Sequence, residues 1–332
     1  MGKMGKQRPE QTAGVLIINL SRQTSSVLQS VHDLNAPRKA FLPEVDVVPH
    51  HAEWEKPIDL GYRADSIMPI AQFHSHSFYE IYYFQAGECT YLIGDQLMTL
   101  RPGDLILMHG MTLHCPNSSP HVPYIRSIIH FDPAFLYQVL QKGTASLLLK
   151  PFEELRNIRL SLGEAEQAQF EKLLSEMNEL QQRDHLFSAS MICDRFTFRF
   201  FDLLELIRGW CTAPVNASEH SSLKERHVQN VVSYLEEHYT EELTLDQIAG
   251  ALHLTKPYLS NLFKEVTGTT VFKYLYNRRI NQAKILFRLE PERSVSDVSR
   301  MVGFLHLAHF SRLFKAAVGC SPEVYRKQLS QA

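Results

Sequence analysis

The sequence predicts an α+β multidomain protein: an N-terminal β-barrel with a helical hairpin, then an all-α domain with two helix-turn-helix units. Three observations carry this. Short apolar runs punctuated by Gly, Pro, Asn and Asp fill residues 58–131; the period turns helical after Pro133; and one helical pattern occurs twice near the C-terminus. The 332 residues are too many for one ordinary domain. With 44% hydrophobic and 21% charged residues the composition is globular, which excludes a disordered or fibrous chain. No apolar run reaches the roughly 18 residues of a membrane span. Gly14–Leu20 is short, lacks a small-residue cleavage site and reads as a strand rather than a secretory signal. The cysteines (Cys89, Cys115, Cys193, Cys211, Cys320) are odd in number, scattered and without C-x-x-C. That argues against a disulfide framework or a cysteine zinc site and for a reducing cytoplasm.

Met1–Gln11 is polar and expected to be loose, and no fold is assigned to residues 1–57. Ile81–Phe84, Thr90–Ile93, Asp104–Met108 and Tyr124–Ile129 read as strands, with turns at Gly94-Asp95 and Arg101-Pro102-Gly103-Asp104. Such spacing suits a sandwich or barrel. Glu164–Gln182 places Ala168, Leu173 (or Leu174), Met177 and Leu180 near one helical face. Ser188–Trp210 is a more apolar helix, with Phe196, Phe200, Leu203, Leu204 and Ile207, and needs two packing partners, one of which could be a second subunit. The turn Arg183-Asp184-His185 makes the two a hairpin. Cys211–Ser222 is small, polar and Pro-containing, as an interdomain linker is.

From Leu223 onward there are 15 Lys+Arg against 11 Asp+Glu, so this third is basic while the rest is acidic. Alone, this asymmetry hints only weakly at a nucleic-acid-binding part. The repeat says more. Thr244–Gly268 matches Ser294–Gly319: Leu245, Ile248, Ala249 and Leu252 against Val295, Val298, Ser299 and Val302 at an offset of 50, then Leu259, Ser260, Leu262, Phe263, Lys264 and Gly268 against Phe310, Ser311, Leu313, Phe314, Lys315 and Gly319 at 51. Each copy opens with a capping signature, Thr244-x-x-Gln247 or Ser294-x-x-Asp297, and ends on a glycine where a left-handed cap is wanted. Short helix, tight turn and longer helix make a helix-turn-helix, whose second helix enters the major groove.

On these residues, and on G-F-L-H-L-A-H-F-S-R-L-F-K-A-A-V-G-C-S-P-E-V-Y-R in particular, residues 224–330 resemble the DNA-binding domain of the AraC/XylS family of bacterial transcription regulators. The resemblance implies seven helices, with a long one, Thr270–Leu289, joining the two units. A helix of about 20 residues is roughly 30 Å long, enough to hold two recognition helices about one DNA turn apart. The expected DNA-binding residues are Lys256, Tyr258, Ser260, Asn261 and Lys264 on the first and His306, Leu307, His309, Arg312 and Lys315 on the second. Asn suits adenine and Arg suits guanine, whereas Lys264, Lys315, Arg278 and Arg279 suit phosphates. Leu262, Phe263, Phe310, Leu313 and Phe314 should face the core.

In the β region, His74-Ser-His76-Ser-Phe-Tyr-Glu80, then Gly87 and a later His114, resembles the cupin motifs, although His109 and Met111 stand where that family's second motif has proline and glycine. His74 and His76 should share one side of a strand, and Glu80 and Tyr82 share parity. Three readings stay open: His74, His76, Glu80, Tyr82 and His114 as polar walls of an effector pocket, the His/Glu set as a metal centre, or histidines hydrogen-bonded within the fold. No cofactor is assigned.

The resulting expectation is a cytoplasmic, ligand-responsive regulator that binds promoter DNA, senses a small molecule such as a sugar and works as a homodimer. The resemblance implies activation, hence RNA polymerase as a partner; no membrane is involved. The expected division is 58–135 for the cupin-like effector domain, 136–211 for helical dimerisation, 212–222 for the linker and 223–332 for DNA binding. A metal-dependent cupin enzyme fused to a DNA-binding module is the alternative, and a sequence-independent DNA-compacting protein a third.

Overall fold

The computed structural model describes residues 56–65, 72–155, 157–182, 189–211 and 222–331. The expected hairpin turn at Arg183–His185, all of the linker but its end residues, and nearly all of the N-terminal segment lie outside these residues. Strands β1 (Ile58–Ala64), β2 (Tyr79–Ala86), β3 (Cys89–Ile93), β4 (Gln96–Thr99), β5 (Asp104–Met108), β6 (His114–Ser118) and β7 (Ile125–Phe131) are followed by helices α1 (Pro133–Val139) and α2 (Lys142–Glu154). A last strand, β8 (Ile158–Ser161), precedes α3 (Glu164–Gln182) and α4 (Ala189–Trp210). It interrupts the helical stretch expected after Pro133. Four residues are too few to display a period in sequence, and it forms by pairing with β5 (Leu105 opposite Leu160).

The strands form two antiparallel sheets, β1-β7-β2-β5-β8 and β4-β3-β6. The central strands of the larger one are buried on both faces, which is why Ile81–Phe84 and Leu105–Met108 read as unbroken apolar runs. Parity divides them. Tyr82, Phe84, Ile106 and Met108 join Tyr91, Ile93 and Tyr124 in one cluster. Ile81, Tyr83, Leu105 and Leu107 face the other way, onto Phe152, Phe170, Met177, Phe200 and Leu204 of the helices.

The C-terminal region is helical throughout its described length: α5 (Leu223–His238), α6 (Leu245–Ala251), α7 (Lys256–Thr267), α8 (Val271–Leu289), α9 (Val295–Met301), α10 (Leu307–Val318) and α11 (Pro322–Gln331). The capping box at Thr244 is complete, and Ser294 accepts from the Asp297 N–H. Gly268 and Gly319 cap α7 and α10 with φ of 70° and 87°. Helix α8 serves two cores. Val271, Tyr274 and Leu275 pack with α5–α7, and Ile280, Ala283 and Phe287 pack with α9–α11. Phe73, Leu92, Leu113 and Cys115 of the β domain belong to the first of these cores, so the first helix-turn-helix unit and the β domain share buried apolar surface.

The turn of the second unit requires glycine. Gly303 has φ +88°, and a Cβ there would fall 2.6 Å from the Thr240 carbonyl oxygen. Gly303→Ala should therefore lower the unfolding free energy by more than about 1 kcal/mol in urea titrations. Gly250→Ala, on α6 with nothing within 4 Å of the added carbon, should instead stabilise by about 0.5–1 kcal/mol.

Candidate effector site and nucleic-acid interface

The repeat positions its second helices so that matching residues fall on matching faces. On α7, Leu259, Leu262 and Phe263 are buried while Lys256, Pro257, Tyr258, Asn261 and Lys264 are exposed. On α10, Phe310 and Phe314 are buried, Leu313 is half-buried, and His306, Leu307, Ala308, Arg312 and Lys315 are exposed. The helical period centres each exposed face on Pro257, Asn261 and Lys264 or on Ala308, Arg312 and Lys315. Pro257 and Ala308 thus share the faces of the expected contact residues. Ser260 and His309 are half-buried. The His309 ring packs edge-on against Tyr276 and Phe304, and burial with the nearby Arg312 lowers its pKa. Lys256 is paired with Asp246 at 2.8 Å, and Tyr258 lies 3.4 Å from the His227 ring nitrogen.

Two expected phosphate contacts are corrected. Arg279 is buried and donates to the carbonyls of Tyr239 and Glu241, both at 2.6 Å. Arg278 donates to Glu236 at 2.6 Å with its guanidinium over the Tyr239 ring. Both arginines brace α8 against the end of α5; the sequence shows their charge but not that the helix turns them inward.

In the β domain, His74, His76, Glu80 and His114 converge, Glu80 from β2 and His114 from β6, but His74 and His76 do not lie on a strand as expected. The 72–78 segment is irregular and touches β6 through one bridge, His74 to His114. A fifth member, His130 of β7, is opposite Glu80 in register and was missed because cross-strand pairing leaves no mark in linear spacing. One Glu80 oxygen, Oε2, lies 3.2 Å from His76 Nε2, 3.4 Å from His114 Nε2 and 3.3 Å from His130 Nε2. Burial would raise the Glu80 pKa, but His114 and His130 hold it well below the usual carboxylate range. Burial drives His114 down to about 4, and burial together with His114 lowers His74 well below its ordinary value. Tyr82 shares the parity of Glu80; its hydroxyl is hydrogen-bonded to that of Tyr124 at 2.7 Å, and its ring packs on Tyr91, which borders His114. Met111 holds φ +66°, the left-handed conformation suited to the glycine it replaces, and its N–H donates to the His76 carbonyl at 2.5 Å.

The residue between the paired histidines reaches the helical region. Ser75 Oγ donates to Asn281 Oδ1 at 2.7 Å, and Lys284 Nζ donates to the Ser75 carbonyl at 2.8 Å and hydroxyl at 2.6 Å. Asn281 Nδ2 donates to the Met111 carbonyl at 2.9 Å. Further along the seam Gln229 bonds to Leu97 and Asp95, and Asn117 to Val266. Ser75 carried no sequence signal; for Asn281 and Lys284 the one trace is a polar residue on the inner face of α8.

Comparisons with known proteins agree with this architecture. Residues 59–192 match the AraC-like ligand binding domain model, and residues 248–328 match a helix-turn-helix domain model. The chain is similar to the melibiose operon regulatory protein of Escherichia coli K12, 25% identical over 303 residues, covering 85% of this chain and 90% of that one. It is 27% identical over 254 residues to the raffinose operon transcriptional regulatory protein RafR of Pediococcus pentosaceus, covering 76% and 85%. It is 23% identical over 262 residues to the HTH-type transcriptional activator RhaS of an Enterobacter strain, covering 78% and 90%.

Burial, with Arg288 nearby, lowers the Lys284 pKa to about 7. Between that value and the ordinary lysine range the unfolded chain binds a proton that the folded chain does not, so the stability owed to Lys284 rises with pH. The unfolding free energy of the wild type relative to Lys284→Met should increase from pH 7 to pH 9, by at most about 1.4 kcal/mol per pH unit. A difference that is flat or falls with pH contradicts this.

Proposed function

Because the chain belongs to the AraC family of helix-turn-helix transcription regulators, with an N-terminal AraC-like ligand-binding domain, we propose that it is a cytoplasmic, sugar-responsive activator that binds promoter DNA as a homodimer. It is a ligand-responsive DNA-binding regulator and not an enzyme, since both matched models are binding modules and the relatives are regulators. Among the described residues no helix is long and apolar enough to cross a membrane.

The observation that carries DNA binding is the twofold presentation of one exposed helix face, Asn261 and Lys264 on α7 and Arg312 and Lys315 on α10. Base reading falls to Asn261 and Arg312, supported by Lys256, Tyr258, Ser260, His306, Leu307 and His309, and phosphate contact to Lys264 and Lys315. The sugar class follows from the names of the relatives, and activation from the name of the rhamnose-type one. The groups that feel the effector are His74, His76, Glu80 and His114, with Tyr82 joined to them through the Tyr91 ring. Dimerisation falls to the 136–211 region, where Phe198 on α4 is 63% exposed and Phe196 and Phe201 are only partly buried. RNA polymerase is the partner of an activator.

A footprint upstream of the regulated genes, followed by anisotropy titrations, tests this reading. Arg312→Ala should cost about 1–3 kcal/mol on the specific duplex and relax preference at one base position. Lys315→Ala should weaken specific and random duplexes alike. Equal losses on both duplexes for Arg312→Ala would remove it from base reading. Melibiose, raffinose and rhamnose are the first effectors to add. One of them should shift DNA affinity by an amount equivalent to about 1–3 kcal/mol of coupling.

A further inference from the structure

We infer that a cavity inside the helical region binds a small planar aromatic carboxylate, and that this ligand weakens DNA binding. The site lies apart from the histidine cluster and goes beyond the sugar-responsive reading of the β domain. Only its effect on DNA rests on the proposed function.

The cavity has a volume of about 210 Å³ and is lined by the α5–α6 connection, by α8 and by the turn and first residues of the second recognition helix. An apolar cavity of about 150 Å³ is enough for benzene, so a single ring with one small substituent fits here. The walls are aromatic and flat. The Tyr276 ring lies 6.0 Å from Phe304 and 6.1 Å from Phe272, at interplanar angles of 20° and 27°. The His309 ring stands edge-on to Tyr276 and Phe304, at 78° and 85°. Such faces and edges receive a planar ring by offset stacking and by edge contact.

Arg279 decides the sign of the ligand's charge. It lines the cavity and is only 6% exposed, yet no carboxylate among the described residues pairs with it. Its Nε and Nη2 donate to two backbone carbonyls at 2.6 Å, and the guanidinium carbon lies 5.5 Å from the centre of the Phe304 ring. Nη1 has no hydrogen-bond partner among the described residues. A buried cation held only by neutral groups lacks a counter-charge, and an entering carboxylate supplies one. An ammonium ligand would be repelled by the same guanidinium. Glu242, the acidic residue of the wall, is exposed, so water and salt screen its repulsion. His306, also on the wall, opens α10 without a side-chain capping bond, which leaves the first N–H groups of that helix open to an anion.

The coupling is electrostatic. His306 and His309 belong both to this wall and to the helix proposed to read DNA. A carboxylate held beside them places negative charge next to the face that must attract phosphates, which opposes binding.

Sodium benzoate added to the full chain is the probe, with ligand-observed saturation-transfer NMR and calorimetric titration as readouts. The expected Kd is about 1 mM or tighter, with cyclohexanecarboxylate and benzylamine each at least about tenfold weaker. Leu305→Trp enlarges an exposed residue of the wall, and Arg279→Gln keeps hydrogen-bond donors but removes the charge. Each should weaken benzoate by about tenfold or more in chains of native circular dichroism. A wild-type chain that binds no benzoate, or prefers benzylamine, overturns the site. Undiminished binding by Leu305→Trp overturns its location, and undiminished binding by a folded Arg279→Gln chain overturns the counter-charge role. In anisotropy titrations, benzoate should weaken wild-type binding to the footprinted duplex by about fivefold or more relative to equal sodium chloride, and Leu305→Trp should be insensitive. Benzoate binding with unaltered or tighter DNA affinity overturns the coupling. If the wild type does not prefer the footprinted duplex over random DNA, the regulator reading fails, and the benzoate titrations still decide the site.

Discussion

The buried amine of Lys284 is the constraint around which the two halves of the molecule are arranged. An amine removed from water must find acceptors, and this one finds the carbonyl and hydroxyl of Ser75. Those acceptors belong to an irregular segment whose flanking residues are the convergent histidines. The helix that supplies Lys284 also supplies Tyr274 to one core and Phe287 to the other. These two hydrogen bonds, with those that Asn281 makes to Ser75 and Met111, therefore tie the histidine segment of the β domain to the spine of the helical region. The seam around it is apolar, with Phe73 and Leu113 packed among the helices, so a lost bond has no solvent to replace it.

Much of this fold was legible because its signals are local. Strand spacing, the Gly94-Asp95 turn, the two helices ending at Gln182 and Trp210, and both capping signatures depend on residues within a few positions of each other. So does the repeat, whose closing glycines, Gly268 and Gly319, cap α7 and α10. What escaped depends on partners distant in sequence. Strand β8 exists because β5 offers an edge, and His130 joins Glu80 because β7 lies beside β2. Arg278 and Arg279 show the same limit from the other side. Charge on a helix suggests solvent or phosphate, and only the packing of α8 against the end of α5 reveals that these two satisfy backbone carbonyls and Glu236.

The histidine group shows where a degraded motif still informs. Met111 replaces a glycine that the resembled motif would carry, yet it adopts the left-handed backbone of one. Such a conformation costs a non-glycine residue about 1 kcal/mol or more and persists only where its surroundings enforce it. Here the enforcement is visible, since the N–H of Met111 is held by His76 and its carbonyl by Asn281. The strained residue thus belongs to the same seam as Lys284, and the motif's geometry outlives its sequence.

The two helix-turn-helix units are similar in sequence but unequal in circumstance. The first shares its core with Leu92, Leu113 and Cys115 of the β domain, and Asn117 bonds to the carbonyl of Val266 near the end of α7. The core of the second is built from α8–α11 residues alone among the described residues. Lys256, Tyr258, Asn261 and Lys264 of α7 are exposed, so docking leaves its outer face uncovered. Helix α8 runs unbroken between the two cores, and Ser75 and Met111 grip it at Lys284 and Asn281 in its second half, so the β domain holds the first unit through shared apolar surface and the second through the helix they have in common.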